Sequence, residues 1–529
     1  MAALHIARPV AVIGSGAMGA GIAQVAAAAG YTVKLFDNRP EAVAKAISDI
    51  AAAFNKLVAK ERMSAVDAAA AIARLQAAVT LADVADAALV VEAIVENLDV
   101  KRGLFAELET IVADDCILAT NTSSISVTAI AAQLRVPARL VGMHFFNPVP
   151  LMALVEVISG LATGADLAQT VYDTAAAWGK NPVHAKSTPG FIVNRVARPF
   201  YAEGWRLLSE QAADAATIDA VMREAGGFRM GPFELMDLIG HDVNFSVTQS
   251  VFNAYFSDPR FTPSVLQQEM VNAGFLGRKA GRGFYHYGDN APAAPHPRAE
   301  AAQPRPEFAS YTVEQGAIAG ASHAAGGVVA DTLAARLRAS GIAVAHRKAP
   351  ETRGRVAGDE APAFHCNGAA VYLTDGRSAT QRAHDNNHPD TVLYDLALDY
   401  AGAKRIAVAC SDQCSPSAYN AVVGLFQAAG LTVTQLDDVP GMAVMRTVAM
   451  LANEAADAVN QGVCSAVGAD VAMRKGVNYP LGPLAWADAV GIAQIVTVLD
   501  NLAASYGEDR YRVSPLLRRK LAGGGRFHD

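Results

Sequence analysis

Four polar residues stand in an order that suits one reaction, removal of a proton from an alcohol while a nicotinamide accepts the hydride. They are Ser123 in N-T-S-S, His144 in H-F-F-N-P, Glu156 in L-V-E-V and Asn194 in P-G-F-I-V-N-R. Oxidising a secondary alcohol needs a base beside the hydroxyl, and the pKa of histidine lies near working pH. His144 is the candidate, because it closes an apolar strand-like run and precedes the rigid turn Phe145-Phe146-Asn147-Pro148. Such a base needs a partner on its other ring nitrogen, to fix the tautomer and stabilise the imidazolium. Glu156 is a lone acid inside an apolar strand, and an acid there is rarely buried unpaired. Ser123 and Asn194 would hydrogen-bond the reacting oxygen or a neighbouring carbonyl, where charge develops. Each residue also has a plainer reading: a satisfied structural histidine, a glutamate paired with an arginine, a Ser123-Ser124 helix cap. The succession of motifs favours the catalytic one.

A cofactor loop precedes them. Val10-Ala11-Val12-Ile13 runs into Gly14-Ser15-Gly16-Ala17-Met18-Gly19, after which helix formers follow. In a strand, turn and helix of this kind the first glycine allows the turn and the second lets a pyrophosphate approach. The third lets the helix pack on the strand, its positive N-terminus toward the phosphates. Gly14, Gly16, Ala17, Met18 and Gly19 are the cofactor-loop candidates. A second strand, V-K-L-F, ends at Asp37, close to the offset at which an acid takes the ribose hydroxyls. Its charge would repel a 2′-phosphate, which favours NAD over NADP, and Arg39 nearby softens that preference.

The elements that would hold these residues follow an α/β pattern. Strand-like runs at 88–91, 116–119, 140–143 and 154–157 alternate with helical stretches, which predicts a doubly wound, mostly parallel sheet. Ligands of such sheets lie beyond the carboxyl ends of the strands, where Asn121, Ser123 and His144 fall. Residues 41–79 form an alanine-rich insertion that reads as two helices. Lys56, Lys60 and Arg62 on it would face either the phosphates of coenzyme A or solvent.

After Asn194 the chain becomes helical, and its features return 251 residues later: Arg195 with Arg446, Glu203 with Glu454, Asp219 with Asp470, Gly231-Pro232 with Gly482-Pro483, Asp237 with Asp488. A constant offset marks an internal repeat. Met445 stands where Asn194 would be, so the second copy reads as a structural partner for the first. Between the copies a Pro/Ala-rich linker leads into residues 307–440, which alternate again at 341–345, 369–373, 405–409 and 431–434. This predicts a reduced Rossmann-like module without a glycine loop, with His346-Arg347 following a strand where an acid might have held ribose. His384, His388, Cys410 and Cys414 have tempting spacings, but no complete ligand set is visible and no metal is expected.

Bulk properties narrow the class. The 529 residues should divide into about three or four domains. A formal net charge of -7 argues against a broad nucleic-acid footprint. No apolar run reaches membrane-spanning length. Five scattered cysteines read as reduced thiols, so a cytoplasmic protein is expected.

The motifs G-S-G-A-M-G-A-G-I-A-Q, V-V-E-A-I-V-E-N, N-T-S-S, H-F-F-N-P-V-P and P-G-F-I-V-N-R together resemble the 3-hydroxyacyl-CoA dehydrogenases over residues 5–288. That resemblance implies NAD-linked, reversible oxidation of an (S)-3-hydroxyacyl-CoA, with His144 as base, Glu156 as its partner, and Ser123 and Asn194 on the substrate. It also implies cofactor-side roles for Glu96, Lys101 and Asn121, and the ribose role for Asp37. Coenzyme A would meet Lys56 and Lys60, although Ala53 stands where the family has a serine. The layout resembles the long bacterial members, which act on 3-hydroxybutyryl-CoA or 3-hydroxyadipyl-CoA in β-oxidation or phenylacetate breakdown. The implied domains are an NAD-binding Rossmann domain (1–188), a helical domain (189–288), a linker (289–306), the reduced module (307–440) and a non-catalytic second helical copy (441–529). The two copies would pair as an intramolecular pseudo-dimer, which leaves further self-association open. Two alternatives stand beside this reading: a dehydrogenase of free hydroxy acids, and a crystallin-like protein without catalysis. For Asp37, the expectation is that Asp37→Ala raises KM for NADH and narrows its gap to NADPH in steady-state kinetics. Equal use of both nucleotides by the unsubstituted protein would refute that role.

Overall fold

The computed structural model describes residues 2–289, 291–313, 325–348 and 362–528. Their contacts divide into two compact units, Met1–Arg195 with Gln461–Val477, and Val196–Asn460 with Asn478–Asp529.

The first unit is built on an eight-stranded sheet. Its strands are β1 (Val10–Ile13), β2 (Val33–Phe36), β3 (Leu75–Ala77), β4 (Leu89–Glu92), β5 (Ile117–Thr120), β6 (Leu140–Phe145), β7 (Leu154–Ser159) and β8 (Asn181–Lys186). They lie in the order β3-β2-β1-β4-β5-β6-β7-β8. All neighbours are parallel except β6 and β7. Every residue of β1, β4 and β5 is buried, as a parallel sheet covered on both faces requires. Helix α1 (Ala17–Ala28) follows the glycine loop. The insertion forms α2 (Pro40–Ala59) and α3 (Ala65–Ala73), whose apolar faces join the same core through Val43, Ile50, Phe54 and Ala71. The unit also includes a piece of the second copy. The helix Ala466–Gly476 packs on β7 and β8, and the Lys186 N–H donates to the Val463 carbonyl at 2.9 Å. Gly476 allows this, since a Cβ there would lie 2.6 Å from Leu154.

The second unit holds the first helical copy, the rest of the second and the reduced module. The two copies share local chemistry as well as sequence. The helices Pro232–Ile239 and Pro483–Val490 both start with proline in the first turn and stop at glycines with φ of 99° and 100°. Asp237 accepts the N–H groups of Phe284 and Tyr285, and Asp488 those of Phe527 and His528. Helix Arg198–Ser209 packs against its repeat equivalent within Val444–Asn460, and segment 259–261 against 509–511. Buried ion pairs join the copies: Arg446 Nε lies 2.6 Å from Glu203, with both side chains at 0% exposure. Arg260 meets Glu454 at 3.2 Å and also bonds Asp457.

The module carries a seven-stranded sheet, β9 (Phe308–Val313), β10 (Ala343–Lys348), β11 (Phe364–Cys366), β12 (Ala369–Leu373), β13 (Thr391–Tyr394), β14 (Arg405–Cys410) and β15 (Thr432–Gln435), in the order β10-β9-β11-β12-β13-β14-β15. His346 and Arg347 lie within β10 rather than after it. The segment expected as a linker is pinned: Arg298 N–H bonds Thr217 and Glu300 N–H bonds the Val433 carbonyl, each near 2.9 Å. Its prolines set an extended path while neighbouring N–H groups find fixed acceptors. Among the described residues no single helix is long and apolar enough to cross a membrane, and no cluster of His, Cys, Asp and Glu could hold a metal.

Breaking a buried ion pair strands the remaining charge, which costs about 3–5 kcal/mol. Arg446→Ala should therefore lower the urea stability of this unit by about that much. The apolar-leaning double variant Glu203→Gln/Arg446→Met should recover part of it. An unchanged denaturation midpoint in Arg446→Ala would contradict the assigned pair.

Candidate active site

The glycine loop has the geometry of a phosphate cradle. Gly14 has φ of 103°, and a Cβ there would lie 2.6 Å from the Ala93 carbonyl oxygen. A Cβ on Gly19 would meet the Gly14 carbonyl oxygen at 1.8 Å, whereas one on Gly16 would meet nothing within 4 Å. Gly14 and Gly19 therefore serve the turn and the helix packing, while Gly16 leaves room for a ligand. Exposed Gly16 caps α1 without a side-chain bond, which leaves the first-turn N–H groups of Ala17 and Met18 for an anion. Asp37 reaches this loop from the end of β2. Its Oδ2 accepts the Ser15 N–H at 2.9 Å and the Ser15 hydroxyl at 2.8 Å. Burial alone would raise its pKa, but the Ser15 bonds and Arg39 hold it below the usual carboxylate range. Asp37 is thus anionic at neutral pH, as repulsion of a 2′-phosphate requires.

Beyond β4 and β5 a second polar group gathers. Glu96 Oε1 accepts the Thr122 hydroxyl at 2.6 Å and the Ser123 and Ser124 N–H groups at 3.0 and 3.2 Å. Its pKa, which burial would raise, is lowered by the Thr122 hydroxyl and by Lys101. Lys101 itself is 1% exposed, 2.6 Å from Glu92 and 3.2 Å from Glu96. It therefore reaches the site through Glu96, holding that carboxylate charged. Glu92, fully buried with Thr120 also on it, is the partner that sequence reading overlooked. It stands in V-V-E-A-I-V-E-N as a lone acid in an apolar strand, the same signal that singled out Glu156. Asn121 Oδ1 accepts the Phe145 N–H at 2.8 Å and so ties the end of β5 to β6 beside His144. Ser123 is exposed, its hydroxyl 3.4 Å from Glu96.

The base and its partner meet as expected. Antiparallel pairing sets His144 opposite Glu156 in register, and His144 Nδ1 lies 2.7 Å from Glu156 Oε2. Both are buried, with Phe146 and Phe191 ring centroids 4.5 and 5.9 Å from the imidazole. With Nδ1–H donating to the carboxylate, Nε2 is the nitrogen that can take a proton. Glu156 Oε1 accepts the N–H groups of Ile192 and Val193 at 3.0 and 2.9 Å. Asn194, the next residue, lies on the short helix Val193–Val196 and is partly exposed. Lys56 and Lys60 do not join this group. Lys56 lies on the last turn of α2, Lys60 caps it and Arg62 follows in the turn, all three exposed and making no ion pair among the described residues.

Comparisons with known proteins bear on the family and its domains. The family model for the 3-hydroxyacyl-CoA dehydrogenase NAD binding domain matches residues 9–188, and that for its C-terminal domain matches 190–287 and again 441–526. A third, the 3-hydroxybutyryl-CoA dehydrogenase reduced Rossmann-fold domain, matches 371–440. The chain is 42% identical over 97% of its length to 3-hydroxyadipyl-CoA dehydrogenase of Escherichia coli, 97% of which is covered. Mitochondrial hydroxyacyl-coenzyme A dehydrogenase of Homo sapiens matches 53% of this chain at 41% identity, with 92% of that protein covered. The crystal structure of 3-hydroxybutyryl-CoA dehydrogenase from Escherichia coli superposes with a TM-score of 0.83 at 40% identity, covering 98% of this chain and 99% of that one.

Positioned acid–base catalysis contributes about 10²–10⁴ in rate, so His144→Gln should lose that much kcat while NADH still quenches or enhances fluorescence on binding. Glu156→Gln should fall comparably. Its amide oxygen can still accept the two backbone N–H groups, but its NH₂ would then face Nδ1 and select the wrong tautomer. Near-normal turnover in either variant rejects the pair as the proton-transfer unit.

Proposed function

The chain belongs to the 3-hydroxyacyl-CoA dehydrogenase family, and on that premise we propose that the centre around His144 oxidises the C3 hydroxyl of an (S)-3-hydroxybutyryl-CoA or (S)-3-hydroxyadipyl-CoA, reversibly. The protein is an NAD-dependent oxidoreductase. The observation that carries the reading is the buried 2.7 Å contact of His144 Nδ1 with Glu156, which orients Nε2 as the proton acceptor. Bound NAD supplies the hydride acceptor. His144 takes the hydroxyl proton, Glu156 stabilises the resulting imidazolium, and Ser123 and Asn194 donate to the oxygen on which charge builds. Glu96, kept anionic by Lys101, orders the N-T-S-S turn that presents Ser123. The exposed, unpaired charges of Lys56 and Lys60 support a role in drawing the coenzyme A phosphates to α2.

The second helical copy takes the place of a partner subunit in this reading. Contact of helix Arg198–Ser209 with its own repeat equivalent, and of 259–261 with 509–511, supports a pseudo-two-fold pairing. Five free cysteines support a reducing, cytoplasmic setting. A kcat/KM panel over acetoacetyl-CoA, 3-ketohexanoyl-CoA, 3-ketoadipyl-CoA and free acetoacetate tests the substrate class. Saturation by the esters with none by the free acid is expected, and the reverse would reject the reading. Calorimetry should count one NADH per chain, and two would overturn the inert second copy.

A further inference from the structure

The second unit contains a cavity of about 310 Å³ whose lining is basic. Arg198, Arg206 and Arg260 of the first helical copy and Arg510 of the second all border it, and no carboxylate does. Its size falls at the lower end of small-ligand pockets, about 300–1,000 Å³. Three features set it apart from an ordinary gap between helices.

The first is the state of Arg510. It is 8% exposed, and its Nε is buried with no hydrogen-bond partner among the described residues. The nearest acid oxygen, Glu508 Oε2, is 3.7 Å from Nε, beyond hydrogen-bond reach. Glu508 is instead bonded to Arg206 at 2.9 Å. A guanidinium N–H left unmet in a buried place is unfavourable unless an acceptor can enter. The planar fork of arginine matches a carboxylate by two parallel bonds.

The second is that the scaffold does not need this lining. The positions of Arg198, Tyr201, Trp205 and Arg206 recur 251 residues later as Ala449, Ala452, Ala456 and Asp457. The same helix folds in both copies, yet only the first carries cations and aromatic rings toward such a space. The third is that an apolar part of the wall, with Trp205, Phe261 and Leu266, adjoins a polar part with Ser209, Thr248, Thr262, Ser264 and Gln267. Guanidinium forks at an apolar wall fit an anion carried on a short hydrocarbon chain.

We propose that this cavity binds a carboxylate borne on a short aliphatic chain, with Arg510 of the second copy supplying the fork. The second copy is then a ligand-binding element and not only packing material. The carboxylate is that of a free short-chain acid. The site is read by heat of binding with no turnover, so its failure is distinct from a failure of the proposed reaction.

The probe is adipate, titrated calorimetrically into the full-length chain in low-chloride buffer. Saturable binding is expected, weakened at least tenfold by Arg510→Gln and less by Arg510→Lys, with melting curves as the check on folding. Leu266→Trp, at a position 39% exposed, fills the cavity from its outer side without touching an arginine and should also abolish the heat. No saturable binding, or equal binding in Arg510→Gln and Leu266→Trp, overturns the proposal.

Discussion

The carboxylate of Glu156 sets the geometry on which the rest of the centre depends. A carboxylate with no solvent contact needs hydrogen-bond donors on its oxygens, and here the two oxygens have different occupants. Oε2 takes the imidazole of His144, and Oε1 takes the N–H groups of Ile192 and Val193. One side chain therefore fixes both the tautomer of the base and the start of the segment that carries Asn194. The antiparallel register of β6 and β7 underlies this, because a slip of one residue would turn His144 and Glu156 to opposite faces.

The reduced module separates the two halves of that task. Asp395, just after β13, accepts the N–H groups of Ala443, Val444 and Met445 at 2.9, 2.7 and 3.0 Å. These residues lie 251 positions after Ile192, Val193 and Asn194. The backbone demand for a carboxylate at the start of this helical segment thus recurs in the second copy, met from a different strand. Burial pushes Asp395 up to about 6 even though the backbone bonds favour its charge. Among the described residues no imidazole is bonded to it, and Met445 is buried where Asn194 stands in the first copy. A structural cap without a base has no proton to move.

Much of this was legible in the sequence, for a physical reason: the loop, N-T-S-S, H-F-F-N-P and the lone acid of L-V-E-V each lie at the end of, or inside, a strand with a strong apolar signal. The strands that went unread were those without one. β3 is only Leu75–Ala77 with two exposed residues, and β8, Asn181–Lys186, begins Asn-Pro and exposes alternate residues. β9, β11 and β13 were hidden in the same way by polar or short composition. The resemblance gave Lys101 a cofactor-side role, but its carboxylate partners were not legible, since Glu92 and Glu96 are nine and five residues away and only the β4 turn brings them to it. The attachment of Gln461–Val477 to the first unit was not legible, since it depends on a glycine, Gly476, chosen for close approach to Leu154 and not for any turn.

Charge explains why two unequal copies suit this arrangement better than two equal ones. Segment 259–261 of the first copy meets helix Val444–Asn460 of the second, where Arg260 finds Glu454 and Asp457. Asp457 is the counterpart of Arg206. Were the first copy to pair with itself by the same operation, Arg260 would face Glu203 and Arg206, one of its two acids replaced by a like charge that repels it. The change to Asp457 turns one of the two junctions into an attraction. The other junction keeps Arg206 close to Arg510, with Glu508 as the bridging acid. Buried ion pairs add little net stability over apolar packing, so their effect here is to select the unequal partner. Arg206 and Arg510 of that junction border one cavity together with Arg198 and Arg260.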